Sequence, residues 1–467
     1  MEKETANNMK NVNEMGIESI TRLIFKFSVP AIVGTLCSAA QNIINRIFVG
    51  QEVGTDAISG LTICFPIFII FMAISMLIGV GGTTLAALRL GEKEYDEAQV
   101  LLGQAFILIT GSLIVVAALM YTFIEPLLAF CGATDPIVYG YAKEYLQVTT
   151  IALVISNIGL SLNNFIRVEG NPKVAMITQL ISCAVVVVSN YIFVVIFQWG
   201  VSGAASGNIV GSAVSFVWVL SYFRPNGKAV LKLKVKNFKL QFNLIKNIMI
   251  LGIPAFLMQI SSSAQNLILN RVLEAHGGTM ALAAVGIVMS LSTIIILPMI
   301  GINQGVQPIM GYNYGACNFK RVKKALGIAT LMAVIYGSIC FVIIQLFPDK
   351  IVSIFGSDKD IAILELAAHA FKIYFLVLPI VGASIVCSSY FQASGKPIQA
   401  TVINLCRQVL VYIPILLVLP RFFDLDGAWY AQPVADVASF MICMTLTFFA
   451  MRELNKRIKF QELREDN

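Results

Sequence analysis

Ser38–Arg46 reads SAAQNIINR, and Ser262–Arg271 reads SSAQNLILNR. The chain around them is strongly apolar: the AVILMFWYC set makes up 57% and charged residues only 13%. A polar phrase written twice in such text decides the fold. The shift between the copies, 224 or 225 residues, recurs along the chain: Pro30-Ala31 answers Pro254-Ala255, Leu90 to Tyr95 answers Tyr314 to Phe319, Arg167 to Pro172 answers Gln392 to Pro397, and Gly203-Ala204 answers Gly427-Ala428. The sequence is a tandem duplication.

An average soluble domain carries roughly 25% charged residues, so the low charge here points to a membrane protein. Apolar runs of about 20 residues, enough to cross a bilayer, recur almost end to end. Twelve are counted, centred on 22–47, 57–87, 98–122, 142–166, 173–197, 201–223, 247–272, 281–310, 325–347, 364–390, 398–419 and 428–451. Backbone polar groups in lipid must be satisfied internally, and no strand-like alternation is present, so all twelve are expected to be helices. The fold class is an all-α polytopic membrane protein of two six-helix repeats. Six is even, so the repeats run parallel, related by a pseudo-two-fold axis along the membrane normal. Two such bundles around a central cleft have the geometry of a transporter.

The domain plan is a cytoplasmic N-terminal tail (1–22), an N-terminal lobe (23–222), a basic connector (223–246), a C-terminal lobe (247–451) and a cytoplasmic C-terminal tail (452–467). The segment before the first span has no apolar h-region and does not read as a cleavable signal. Lys and Arg crowd alternate loops, at Arg89, Lys93, Arg167, Lys173, Arg224, Lys228, Lys232 to Lys246, Lys320 to Lys324 and Lys396. By the positive-inside rule that side, with both termini, is cytoplasmic. The formal charge of +7 therefore reads as topology, and no nucleic-acid partner is expected. The expected partners are the bilayer, of the plasma or inner membrane, and small-molecule substrates, with the protein monomeric. The nine cysteines form no Cys-x-x-Cys pair, and His276 and His369 lack ligand-spaced partners, so no metal site is assigned beyond a sodium ion of unknown position. Walker, His-Glu-x-x-His and Gly-x-Ser-x-Gly motifs are absent. The chain therefore does not read as an enzyme, no cofactor is assigned, and energy is expected from a proton or sodium gradient.

Several motifs, in order, carry a family resemblance: N-x-x-N-x-x-x-V-G from Asn42 to Gly50, L-G-E-K-x-Y-x-x-A from Leu90, R-x-x-G-N-P from Arg167 to Pro172, W-G-V-x-G-A-A from Trp199 to Ala205, G-x-x-Q-x-x-x-P-I-x-G-Y-N-Y-G-A from Gly301 to Ala316, and D-x-D-G-A-W leading to Asp436. The chain resembles the MATE (multidrug and toxic compound extrusion) family, on the side of its MepA-like multidrug exporters. That resemblance implies a V-shaped antiporter that expels organic cations in exchange for protons or sodium. It also implies acidic residues where this chain has Asn45 and Asn190, so an N-terminal proton site does not carry over. The loop RLGEKEYDEAQ lacks the signature of major facilitator carriers. A flippase for a lipid-linked oligosaccharide or other amphiphile is the alternative; it calls for more cavity cations than Arg407 alone.

Ionisable groups held in the membrane are costly unless paired, which makes them functional candidates. Arg407 in span eleven and Asp436 in span twelve are expected to face each other as an ion pair, either linked to ion coupling or acting as a static brace. Polar stripes are the second set, because residues three or four apart share a helix face. They comprise Gln41, Asn42 and Asn45 on span one, Asn157 and Asn164 on span four, Gln259, Ser262 and Asn266 on span seven, and Asn303, Gln304 and Gln307 on span eight. These are expected to line the cleft, with interhelical hydrogen bonding as the competing role. Pro298 to Pro308 is the expected hinge.

Overall fold

The computed structural model describes residues 2–132, 135–227, 229–355 and 361–465. Lys228 and Lys359 lie outside them. In chain order the helices are α1 (Glu2–Ile17), α2 (Ile20–Glu52), α3 (Thr55–Ile63), α4 (Phe65–Gly91), α5 (Tyr95–Thr122), α6 (Ile124–Phe130), α7 (Pro136–Val168), α8 (Pro172–Asn190), α9 (Gly200–Phe223), α10 (Phe242–Gly315), α11 (Phe319–Leu346), α12 (Pro348–Val352), α13 (Ile361–Tyr374), α14 (Leu378–Ala393), α15 (Pro397–Leu405), α16 (Tyr412–Val418) and α17 (Pro420–Glu465). Proline opens α7, α8 and α15, where its missing N–H would have had no intrahelical partner. Asp135 caps α7 by accepting from the N–H groups of Ile137 and Val138, at 2.8 and 3.1 Å.

Among the described residues, ten helices are long and apolar enough to span a membrane, and α13 with α14, bent by 53°, makes an eleventh. The 74 residues of α10 would run about 110 Å if straight, several times a bilayer's hydrocarbon core. Gly278 breaks it, with φ 60° and ψ −153°, into spans seven and eight, which completes twelve. No broken backbone occurs at the expected hinge, since Pro298 and Pro308 both sit in helical conformation. A static bend falls between Tyr374 and Leu378, where Pro379 removes a backbone donor.

The duplication is written in the backbone as well as in the side chains. Among the described residues, eight of the ten with positive φ form matched pairs 224 or 225 residues apart: Gly54 with Gly278, Lys93 with Cys317, Gly170 with Gly395, and Gly200 with Asp424. Each pair turns the chain at the same loop of its repeat. In the second copy Asp424 adopts φ 48° without the licence of glycine, a local strain of order 1–3 kcal/mol.

The two lobes share one apolar core toward the face that carries both termini. There Phe27, Leu85, Ile109 and Phe165 belong to the same buried cluster as Ile302, Ile309, Val322 and Tyr390. The far half of the C-terminal lobe keeps a separate core around Leu273, Val288, Phe371 and Trp429. Joined at one end and parted at the other, the lobes form a V.

Glycines make the junction tight. A Cβ on Gly305 would stand 2.6 Å from the Ser28 nitrogen, and one on Gly301 would stand 2.7 Å from the Ile32 Cα. On the pseudo-symmetric side, Cβ atoms on Gly81 and Gly252 would run into the carbonyls of Ile248 and Leu77. Backbone therefore packs on backbone across the seam, span eight on span one and span two on span seven, as small residues permit in membrane helices.

Residues 1–22, expected to be a tail, contain α1, which lies across the seam. Asn11 Nδ2 donates to Asn171 Oδ1 of the N-terminal lobe at 2.8 Å. At the other end Asn313 Nδ2 and Arg321 Nη2 of the C-terminal lobe donate to the Met15 carbonyl at 2.9 and 3.0 Å, and Arg321 Nη2 also donates to the Glu18 carbonyl at 2.6 Å. A guanidinium at the carbonyl end of a helix satisfies groups that have no intrahelical partner and complements the helix dipole. Val12 and Met15 are buried, and Lys26, 2.7 Å from Glu14, holds that carboxyl below the usual carboxylate range. At the other terminus α17 runs on helically to Glu465, and Glu462 pairs with Lys320 at 2.7 Å.

Candidate functional site

In the C-terminal lobe, Arg407 sits in a π-helical turn, Cys406–Leu410, a distortion that re-aims side chains and is frequent at functional sites. Its Nε donates to Asp436 Oδ1 at 2.7 Å. Gln432 Nε2 donates to the other carboxylate oxygen, Oδ2, at 3.2 Å. Gln432 Oε1 in turn accepts from Gln265 Nε2 at 2.8 Å and from the Tyr374 hydroxyl at 3.4 Å. Beside them Gln408 Nε2 donates to Ser262 Oγ at 3.0 Å. Asp436 is 4% exposed, so its charge depends on these partners. One buried carboxylate is thus connected to spans seven, ten, eleven and twelve.

The N-terminal lobe has a neutral counterpart. Asn190 Nδ2 donates to Asn45 Oδ1 at 3.0 Å, and Asn45 Nδ2 donates to the Tyr145 hydroxyl at 3.4 Å. A π-helical turn, Tyr191–Ile196, follows Asn190 directly. Neither amide can take up a proton at physiological pH.

Between the lobes, on the sealed side, lies a cavity of about 110 Å³. Its polar wall is Ser75, Thr83, Thr84, Ser161, Asn164 and Arg167 from one lobe and Gln304 and Gln307 from the other. Arg167 Nη1 donates to Gln304 Oε1 across the seam at 2.6 Å and to Asn164 Oδ1 at 3.2 Å. Gln307 Nε2 reaches Thr84 Oγ1 at 3.4 Å.

Of the stripe residues, then, Asn164, Gln304 and Gln307 line the cavity. Asn45 is turned into its own lobe, and Ser262 into the C-terminal lobe. Asn157 Nδ2 donates to the Leu153 carbonyl at 2.8 Å, within its own helix. Asn42 and Asn266 are exposed, and Gln41, Gln259 and Asn303 are half-buried; none of the five lines the cavity. The repeated phrase does not reach this sealed-side cavity. Through Asn45 in one copy and Ser262 and Gln265 in the other, it supplies each lobe's internal polar network. A period of 3.6 gives the face of a helix but not the neighbour it meets.

Among the described residues, two buried charged residues, Arg167 and Glu169, stand outside the sequence-based candidates. Arg167, 5% exposed, reads in the sequence as one of the loop cations. Glu169, fully buried, accepts from the Leu231 N–H at 2.6 Å and the Tyr222 hydroxyl at 2.9 Å, and burial pushes its carboxyl up to about 8. It fixes the connector to the N-terminal lobe, and Gln104 Nε2 does the same by donating to the Asn237 and Lys239 carbonyls at 2.9 and 2.7 Å. Both ionisable residues lie in the R-x-x-G-N-P motif, at a helix end that hydropathy reads as a loop.

The sequence profile of the MatE family matches this chain twice, over residues 30–192 and 254–418, once per lobe and in the same register as the duplication. The chain belongs to the MatE family. MatE relatives resemble it along nearly their whole length. The multidrug export protein MepA of Staphylococcus haemolyticus strain JCSC1435 is 28% identical over 94% of this chain and 95% of its own. MepA of Staphylococcus aureus strain NCTC 8325 is 27% identical over 92% and 94%. Among solved structures, the MATE multidrug transporter DinF-BH is 31% identical, with a TM-score of 0.86 over 93% of this chain and 96% of that one. A MATE transporter in its straight conformation, at 20% identity and a TM-score of 0.88 over 96% of this chain and 99% of that one, shares the fold. This MatE chain is accordingly a multi-pass membrane transporter protein with the two-lobe fold of that family.

Proposed function

We propose that the chain is a secondary active multidrug exporter, one that exchanges organic, often cationic and amphipathic compounds for protons or sodium ions. Its lobes rock so that the cleft opens to one side at a time, and the side bearing the termini is cytoplasmic, as the loop cations indicate. The relatives named as multidrug export proteins support the substrate class. The tight seam on the termini side and the separate cores beyond it support an outward-opening geometry.

The observation that carries the reading is the chain Arg407–Asp436–Gln432–Gln265, centred on the buried Asp436 and Gln432. An ionised Asp436 satisfies Arg407 and Gln432 together. When a proton neutralises it, or a sodium ion takes its oxygens, Arg407 loses its counter-charge. Removing one partner of a buried pair typically costs about 3–5 kcal/mol. That penalty is relieved by rearrangement, and the Gln432–Gln265 bond transmits it to span seven, which packs on span two at the seam. The N-terminal amide pair Asn45–Asn190 has no charge to exchange, which favours coupling in the C-terminal lobe. An ion that stabilises one orientation and a compound that prefers the other then exchange by population shift.

The test uses purified protein in vesicles, with export of an ethidium-like dye followed under an imposed pH gradient and then a sodium gradient. Asp436→Asn should abolish gradient-driven export while leaving dye binding in place. Wild-type export with unchanged ion dependence in that variant would remove Asp436 from the coupling step.

A further inference from the structure

We infer that the seam between the lobes holds a monovalent anion, either chloride or the carboxylate group of an organic ligand, bound by Arg167 together with the amides of Gln304 and Gln307. Arg167 is the single charged residue in the wall of the cavity, and among the described residues no carboxylate acts on it as a charge partner. Its two hydrogen bonds, to Asn164 and Gln304, both leave from Nη1 and both end on neutral amide oxygens. A guanidinium has five N–H donors in a rigid fork, so Nε and Nη2 keep donors for a ligand. Nearby Glu169 does not serve as the counter-charge, because its oxygens are committed to Leu231 and Tyr222.

A cation held away from water with only neutral partners is costly, and a small anion offsets that cost. The cavity, about 110 Å³, has room for a halide, nitrate or one carboxylate group. The Thr84 hydroxyl, which accepts from Gln307, keeps its own hydrogen for a ligand, whereas those of Thr83, Ser75 and Ser161 are committed to carbonyls and to each other. Because Arg167 belongs to one lobe and Gln304 and Gln307 to the other, the site is complete only while the seam is closed. An anion bound there stabilises the closed seam by linkage. The inference holds whichever ion drives export, and its test reads binding rather than transport.

The full-length protein in nanodiscs is melted in sodium gluconate, with chloride, bromide, nitrate or acetate substituted at constant ionic strength. A saturable rise in Tm is expected with the small anions and not with gluconate, which exceeds the cavity. Arg167→Gln should raise the half-saturating concentration at least about ten-fold, the loss of one charge-assisted contact, and Arg167→Lys should restore part of it. Response to halides and acetate alike identifies a small-anion site; response to carboxylates alone identifies the carboxylate of an organic ligand. Bromide-soaked wild-type crystals, free of any folding defect, should show anomalous density beside Arg167. Equal Tm in all anions, saturation unchanged in Arg167→Gln, or bromide bound only elsewhere would overturn the assignment.

Discussion

Replacing Gly305 by alanine tests the seam most directly. The added Cβ would stand 2.6 Å from the Ser28 nitrogen and 2.7 Å from its Cα, whereas carbon contacts settle near 3.5–4.0 Å. Those atoms are backbone and cannot rotate away, so span eight must retreat from span one by roughly 1 Å. Overpacking of this kind costs about 1–3 kcal/mol, and it is charged only to the arrangement in which the seam is closed. At about 1.4 kcal/mol per factor of ten, the closed arrangement should lose between roughly five-fold and a hundred-fold in population. Gly81→Ala, where the obstruction is the Ile248 carbonyl, should act at least as strongly. Gly327→Ala is the control, since nothing lies within 4 Å of its Cβ position and alanine favours a helix. The assay is the rate at which a membrane-impermeant thiol reagent, applied from the termini side, labels Thr84→Cys at the cavity, in a chain whose nine native cysteines have been replaced. Gly305→Ala and Gly81→Ala should speed labelling and Gly327→Ala should not. Equal rates in all three would mean that the seam is not what closes that side.

Deleting residues 2–17 removes the strap between Asn171 and Arg321 and should speed the same labelling reaction; an unchanged rate would make α1 a bystander. Glu169 gives a pH dependence of definite sign. Its folded-state pKa is raised, to about 8 against about 4.3 for an unperturbed glutamate. Its contribution is therefore fully present below the unfolded value and is lost as pH rises toward 8. Thermal stability should fall across that window, hydrogen exchange at the Leu231 amide should rise with it, and Glu169→Gln should flatten both. A slope preserved in Glu169→Gln would place the titration elsewhere.

Much of this architecture is legible in the sequence because lipid leaves a chain few choices. Apolar length marks the twelve spans, and the repeated phrase marks the lobes. Arg407 and Asp436 are legible as candidates because charges are rare in membrane text, and they stand 2.7 Å apart. Arg167 and Glu169 are not, because at a helix end a buried charge and a solvated one look alike in sequence; only the neighbours from α9, α10 and the connector distinguish them. The stripe on span one reads as cavity wall, yet Asn45 meets Asn190, 145 residues away. No local pattern encodes that encounter. Asp424 shows the reverse case: its position follows from Gly200 through the duplication, while its residue type argues against the backbone it adopts.

The placement of α1 has a consequence for how the protein is made. The helix leaves the ribosome before either lobe, but part of its docking surface is Asn313 and Arg321 of the second lobe. At about 5–20 residues per second, tens of seconds separate its emergence from the synthesis of that surface. Throughout biogenesis this N-terminal helix must wait at the membrane, and its docking records that the second lobe has been inserted in register with the first. Protection of this segment from protease would therefore report completed assembly, and the N-terminal half made alone should leave it open to cleavage.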